Sequence, residues 1–367
     1  MMDPRIHKLA GVLINYSLKL KKGKLVKIQG EVVTLPLMNA LYEEALNKGA
    51  YPFLQVIVPE TQEIFLKNAS KEQMKYISPV VRTEVNKIDN LIAIWGAQNT
   101  RNLSGIDSKR QAMFQQGRSS LVKTLRRRMG DGSLNWVGTM FPTHADAQQA
   151  EMSLSDYEEF VYRAGHLHLP DPVKHWKKVH AEQQRLIKIL NRVDKVRIRA
   201  EGTDLRLRVK GRKWVNCSGG QNFPDGEIFT GPIEDTAEGH IHYKFPSTYG
   251  GRTVEGIRLE FKKGKVVKES ATKDQDYLTA MLNIDKGARF LGEFAFGTNY
   301  QIKRATGNTL FDEKIGGTCH LAVGTGFPES GSKNTSTLHW DMVCDLKKGG
   351  EVEADGKVIY RNGKFKI

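Results

Sequence analysis

The chain is poor in cysteine and has no long apolar run. Its three cysteines, Cys217, Cys319 and Cys344, are odd in number and show no CxxC spacing. A disulfide framework is therefore not expected, and a reducing cytoplasm fits best. No stretch reaches the roughly 20 apolar residues that a bilayer-spanning helix needs. The opening, "MMDPRIHKLAGVLINYSLKLKKGK", lacks a long apolar segment with a small-residue cleavage site, so no signal peptide is expected. The first half holds no phosphate-binding loop of the GxGxxG or GxxxxGKS/T type, and the zinc-protease helix HExxH is absent throughout.

Glycine and positive charge are plentiful. The 367 residues include 35 glycines, which implies many turns, and a hydrophobic content of 39% is enough for packed cores. A chain of this length favours two domains. The formal net charge of +15 raises the question of a nucleic-acid partner. Lys and Arg are spread along the chain, however, with one local run, "KTLRRRMG" (123–130), placed where cations meet a helix C-terminus. No aromatic-interleaved basic motif or zinc-finger spacing accompanies it. The charge reads as a solvated basic face, and a nucleic-acid partner is not expected.

Periodicity divides the chain near residue 190. In residues 1–190, short strands at 23–30, 51–58, 90–96 and 134–142 alternate with helices such as 36–49, ended by Gly49, and 108–128. Alternation of this kind predicts an α/β domain with an open, mostly parallel sheet. Helices follow at 152–165 and 175–193. In residues 191–367, apolar and charged residues alternate, with a turn at Gly202 and hairpins at Lys263-Gly264 and Asn362-Gly363. This half reads as mainly antiparallel β with short helical insertions such as "DYLTAMLNI".

Candidate chemistry concentrates in the second half. "STLHWDMV" (336–343) reads as a buried strand, so His339 and Asp341 point one way and Trp340 the other. Glu227 follows a Pro-Asp-Gly turn, and Glu293 sits among apolar residues in "LGEFAFGTN", where a lone carboxylate is costly. Glu313 and His320 flank Gly316-Gly317. Singly, each residue has a structural reading: a capped turn, an arginine pair, a satisfied core histidine. Together they offer the carboxylates and imidazoles that a zinc- or cobalt-like ion accepts, and carboxylates can bridge two cations. The residues alone leave both readings open. For His166 with His168, and for Glu238, His240 and His242, a structural role is favoured.

Several of these segments resemble those of the AmpS/AmpT-type metalloaminopeptidases, the thermophilic leucyl aminopeptidase family. "YSLKLKKGKLVKIQG", "EALNKGAYPFLQV", "NTRNLSGIDSKR" and "FPTHADAQQAEMSLSDYEEFV" resemble its first domain. "NFPDGEIFTGP", "GEFAFGTN", "LFDEKIGGTCHLAVG" and "HWDMV" resemble its metal-site motifs. The resemblance covers nearly the whole chain and implies a two-domain, homodimeric exopeptidase acting on peptides with a free N-terminus. It implies two divalent metal ions per chain (zinc, cobalt, manganese or magnesium) in the second domain. Carried over by position, the ligands are Glu227, Glu293, His320, His339 and Asp341, with Glu293 bridging and Glu313 as general base. The implied sharing puts Glu227 and Asp341 on one ion and His320 and His339 on the other. One departure is Phe327, which stands where many relatives carry a tyrosine.

Two rivals follow from the same residues. A dinuclear amidase or carboxypeptidase would use the metals on a different end group. A basic nucleic-acid-binding protein with a structural metal would show steeply salt-dependent affinity and no hydrolysis.

Overall fold

The computed structural model describes residues 3–367. The chain forms two compact units. One runs to Val173 and takes in Gly219–Phe223, and the other comprises Lys174–Ser218 and Pro224–Ile367. The helix Pro172–Leu190, which a boundary near 190 would leave with the first domain, clusters with the second.

The first unit carries a five-stranded sheet in which every pairing is parallel. Leu25–Glu31 lies between Tyr51–Ile57 and Asn90–Trp95, followed by Asn135–Met140 and then Asn222–Phe223. Parallel neighbours need crossover connections, and helices supply them. Leu35–Asn47 is one, burying Leu37, Met38, Ala40, Leu41 and Ala45 along one stripe. It ends where Gly49, at φ +69°, donates its N–H to the Leu46 carbonyl at 2.8 Å. The expected 108–128 helix is two helices, Ser108–Gly117 and Ser119–Gly130. At the break the backbone packs closely: a Cβ on Gly117, the last residue of the first helix, would lie 2.5 Å from the Met74 carbonyl oxygen. Arg127 and Arg128 occupy the last turn as expected, and the buried Arg128 donates to the carbonyls of Val85 and Ser133.

The second unit is built on antiparallel sheets of eight and five strands, with a two-stranded ribbon. The expected hairpins form. Lys263 and Gly264 have φ of +49° and +78°, and Asn362 and Gly363 have +50° and +76°, the left-handed pairs that a two-residue hairpin turn demands. All three cysteines are free thiols. Among the described residues no helix is long and apolar enough to cross a membrane.

The five-stranded sheet runs in the order His339–Asp345, Thr318–Gly324, Leu291–Gly297, Glu227–Thr230, Val215–Cys217. One face is apolar and belongs to the main core: Ile228, Phe294, Phe296, Leu321, Val323, Trp340 and Met342. Trp340 is 1% exposed and stacks on Tyr249 with ring centres 5.5 Å apart. Its Nε1–H donates to Ser247 Oγ at 2.7 Å, and that hydroxyl donates to the Asp341 carbonyl at 2.8 Å. The tryptophan thus anchors the backbone between two candidate ligands. Trp340→Ala is expected to destabilise the second unit by about 3–5 kcal/mol through loss of buried area and a residual cavity. Trp340→Phe should cost about 1 kcal/mol, mainly the hydrogen bond. Urea unfolding of both variants checks the order, and equal midpoints would refute it.

Candidate metal centre

The opposite face of the same sheet gathers the candidate residues. Cross-strand partners share a face, so the register can be read directly. Asp341 faces Ala322, and Ala322 faces Glu293. His339 pairs with Gly324, His320 with Ala295 and Val343, and Glu227 with Gly297. The positions between the candidate residues are therefore mostly Gly or Ala, which leaves room above the sheet for the longer side chains. The bulge between Leu291 and Glu293 shifts register at Glu293. Gly292, beside it, would put a Cβ 2.3 Å from the Thr325 carbonyl oxygen.

The side chains converge. His320 Nε2 lies 3.4 Å from Glu227 Oε2 and 3.4 Å from Glu293 Oε1, with Asp341 Oδ1 at 3.9 Å. His339 Nε2 lies 3.5 Å from Glu293 Oε2 and 3.4 Å from Asp341 Oδ2. The two oxygens of Glu293 thus face different imidazoles. Two donor groupings result, Glu227–Glu293–His320 and Glu293–His339–Asp341, each with ligand atoms within 4.8 Å of one another. Glu293 belongs to both, and these groupings differ from the sharing implied by family resemblance. Glu227 goes with His320, and Asp341 with His339. Glu313 joins His320 and Asp341 in a further grouping.

Hydrogen bonding fits an ion-binding role. His339 Nδ1 lies 2.8 Å from the Thr325 carbonyl, which can only accept, so Nδ1 carries the proton and Nε2 is left for a ligand. Among the described residues, Glu227 Oε2, both ring nitrogens of His320 and Asp341 Oδ1 are buried without a hydrogen-bond partner. Orphaned buried atoms of this kind are costly, and divalent cations would satisfy them. The mixture of carboxylate and imidazole suits zinc, cobalt or manganese.

Phe327 packs against His339, ring centres 4.9 Å apart and edge-on, and against Phe229 at 5.4 Å. Glu238, His240 and His242 lie on a strand of the eight-stranded sheet, and Glu238 accepts the Lys263 N–H. Neither that trio nor His166 and His168 enters a donor grouping among the described residues.

Sequence reasoning missed Lys314. Its side chain is 1% exposed, and Nζ lies 2.5 Å from Glu227 Oε1, 2.7 Å from Glu313 Oε1 and 3.6 Å from Asp225 Oδ1. The available signal was a lysine directly after Glu313, in a stretch where Ile315 to Phe327 carries no other acidic or basic residue except His320.

An α/β unit with a parallel sheet, together with an antiparallel unit bearing this donor set, defines a candidate metallohydrolase. The thermophilic metalloprotease (M29) family matches residues 2–365, and the chain belongs to that family. It is 29% identical to aminopeptidase AmpS of Bacillus subtilis (strain 168) over 313 residues, which cover 73% of this chain and 75% of that protein. It is 25% identical to aminopeptidase T of Thermus thermophilus over 398 residues, covering 98% and 95%. The solved structure of wild-type AmpT from Thermus thermophilus superposes with a TM-score of 0.86 at 23% identity, covering 99% of both chains. The two-part architecture is shared with that structure.

Without bound metal the imidazoles are strongly basic. Burial opposes the charge on His320, but the carboxylates of Glu293, Glu227 and Asp341 outweigh it and raise its pKa to about 9. Burial likewise opposes His339, and Asp341 with Glu293 raises it to about 10. Burial pushes Glu313 up, with Lys314 pulling the other way. A ligating imidazole must be neutral. The metal-free rings hold their protons below those values, so divalent-ion uptake at neutral pH should release protons, and affinity should climb as pH rises toward them. Calorimetric titration of the metal-free protein in buffers of different ionisation enthalpy checks this. Identical heats in all buffers would show that no proton is displaced.

Proposed function

We propose that this chain is a metal-dependent aminopeptidase, releasing N-terminal amino acids from peptides with two divalent ions and a glutamate base. The observation that carries the reading is Glu293, whose two oxygens face His320 and His339 at 3.4 and 3.5 Å. Glu227, Glu293 and His320 would hold one ion, and Glu293, His339 and Asp341 the other. Divalent ions held there supply Lewis acidity, which makes water nucleophilic near neutral pH and polarises a carbonyl.

The chain's own residues supply the rest. Glu313 Oε1 is held by Lys314 at 2.7 Å, which leaves Oε2 to take the proton of the attacking water and return it to the leaving amine. Thr325 fixes the His339 tautomer through its carbonyl. Phe327 walls the imidazole on one side and donates no hydrogen bond to the reacting oxygen. The carboxylate-rich site complements a free α-ammonium, which would confine cleavage to the N-terminus. The names of the aminopeptidase relatives support the same substrate class. A homodimer, implied by the family resemblance alone, is part of the reading, as is a reducing cytoplasm, which fits the few, free cysteines.

Chelation should abolish hydrolysis of a leucine amide, with zinc, cobalt or manganese restoring it, and an N-acetylated peptide should be left intact. Full activity in a verified metal-free sample would end the proposal. Glu313→Gln should retain metal and lower kcat by about 10²–10⁴. Glu293→Gln should instead deplete bound metal, because the shared position needs both carboxylate oxygens. Loss of metal from the Glu313 variant with retention in the Glu293 variant would reverse the two roles.

Phe327→Tyr should raise kcat only modestly, since the surroundings are not shaped to aim a hydroxyl, and Phe327→Leu should be mild. A hundredfold drop in kcat for Phe327→Leu, with normal metal content, would give the ring a direct catalytic role.

A further inference from the structure

Lys314 presents an ammonium group to the edge of the metal centre, and its position is fixed by backbone as much as by charge. The Lys314 carbonyl accepts the Asn299 N–H at 3.0 Å, and its own N–H donates to the Phe311 carbonyl at 3.0 Å. The following turn lies over Gly297, the strand partner of Glu227, where a Cβ would come within 2.2 Å of the Ile315 carbonyl oxygen and 3.0 Å of the Lys314 carbonyl carbon. A side chain at 297 would displace the segment, so the sheet's smallest residue sets where the ammonium arrives.

There it divides the two oxygens of Glu227. Oε1 is taken by Nζ at 2.5 Å, while Oε2, on the His320 side, has no hydrogen-bond partner among the described residues. The other half of the centre has no such cation. Among the described residues, the ion pairs of Glu293 and Asp341 are with the two histidines alone. Charge counting supports a permanent role. Glu227, Glu293, Glu313, Asp341 and Asp225 would bring five negative charges, which two divalent ions and Lys314 together would balance.

We propose that Lys314 is a positioning residue that makes the centre asymmetric, reserving Glu227 as a one-oxygen ligand and weakening the Glu227–Glu293–His320 half relative to the Glu293–His339–Asp341 half. The first half then holds the exchangeable ion and the second half the retained one. The ammonium also pins Glu313 Oε1, so the same group orients the base. The inference rests on the two-ion reading above.

Cobalt(II) titration of the metal-free protein, followed by absorption and by metal content, tests it. The wild-type chain should take up two ions in well-separated steps, and Glu227→Gln should lose the weaker step while keeping the tighter. Lys314→Met removes the charge at similar length and should tighten the weaker step at least tenfold, bringing the two together. Lys314→Gln keeps an N–H donor without the charge and should shift in the same direction, which carries the test if the Met variant fails to fold. Wild-type steps of equal affinity, or folded Lys314 variants that titrate as the wild type does, would overturn the role of Lys314 and leave the aminopeptidase reading standing. A wild-type chain that takes up no cobalt would overturn both.

Discussion

Carboxylates with donor atoms within 4.8 Å of one another repel, and withdrawal from water strengthens the repulsion. The second unit concentrates such groups on one sheet face, and much of its local structure answers that electrostatic strain. The imidazoles hold protons more firmly than usual, an ammonium is buried where Glu227 and Glu313 meet, and among the described residues several carboxylate and imidazole atoms are left without a hydrogen bond. Each is a way of placing positive charge, or leaving space for it, against a cluster that burial alone would force to neutralise.

Holding such a cluster in place requires a stiff support. The sheet provides one because its other face is packed with Phe294, Phe296, Leu321 and Trp340. The division works at the level of single residues. In Leu291–Gly297 the phenylalanines alternate with Glu293, Ala295 and Gly297, so the same pleat that builds the core clears space for the candidate side chains. Trp340 links the two sides, since its indole reaches the Asp341 backbone through Ser247. Core packing and the placement of Asp341 are therefore linked along this strand.

Much of this was legible in the sequence. The shared parity of His339 and Asp341 follows from strand alternation, and the left-handed hairpin turns follow from Lys-Gly and Asn-Gly pairs. What was not legible depended on distant chain. Which imidazole lies nearest Glu227 depends on cross-strand register and on the bulge at Leu291/Glu293, neither of which spacing along the chain encodes. Lys314 reaches the centre because the turn after Phe311 folds over Gly297. The break between Ser108–Gly117 and Ser119–Gly130 lies where the backbone approaches Met74, far away in sequence.

The strand Asn222–Phe223 pairs in parallel with Asn135–Met140, although the residues on both sides of Gly219–Phe223 belong to the second unit. During synthesis the first unit cannot complete its sheet when Val173 leaves the ribosome. It must wait, with the Asn135–Met140 strand as an open edge, until Phe223 has emerged. By then the helix Pro172–Leu190 and the first hairpin of the second unit, from Lys195 to Arg208, have already been made. The first unit can therefore finish its sheet only after part of its successor has been synthesised. A stalled or shortened product ending before residue 219 would carry that unpaired edge permanently, a template for pairing with other chains.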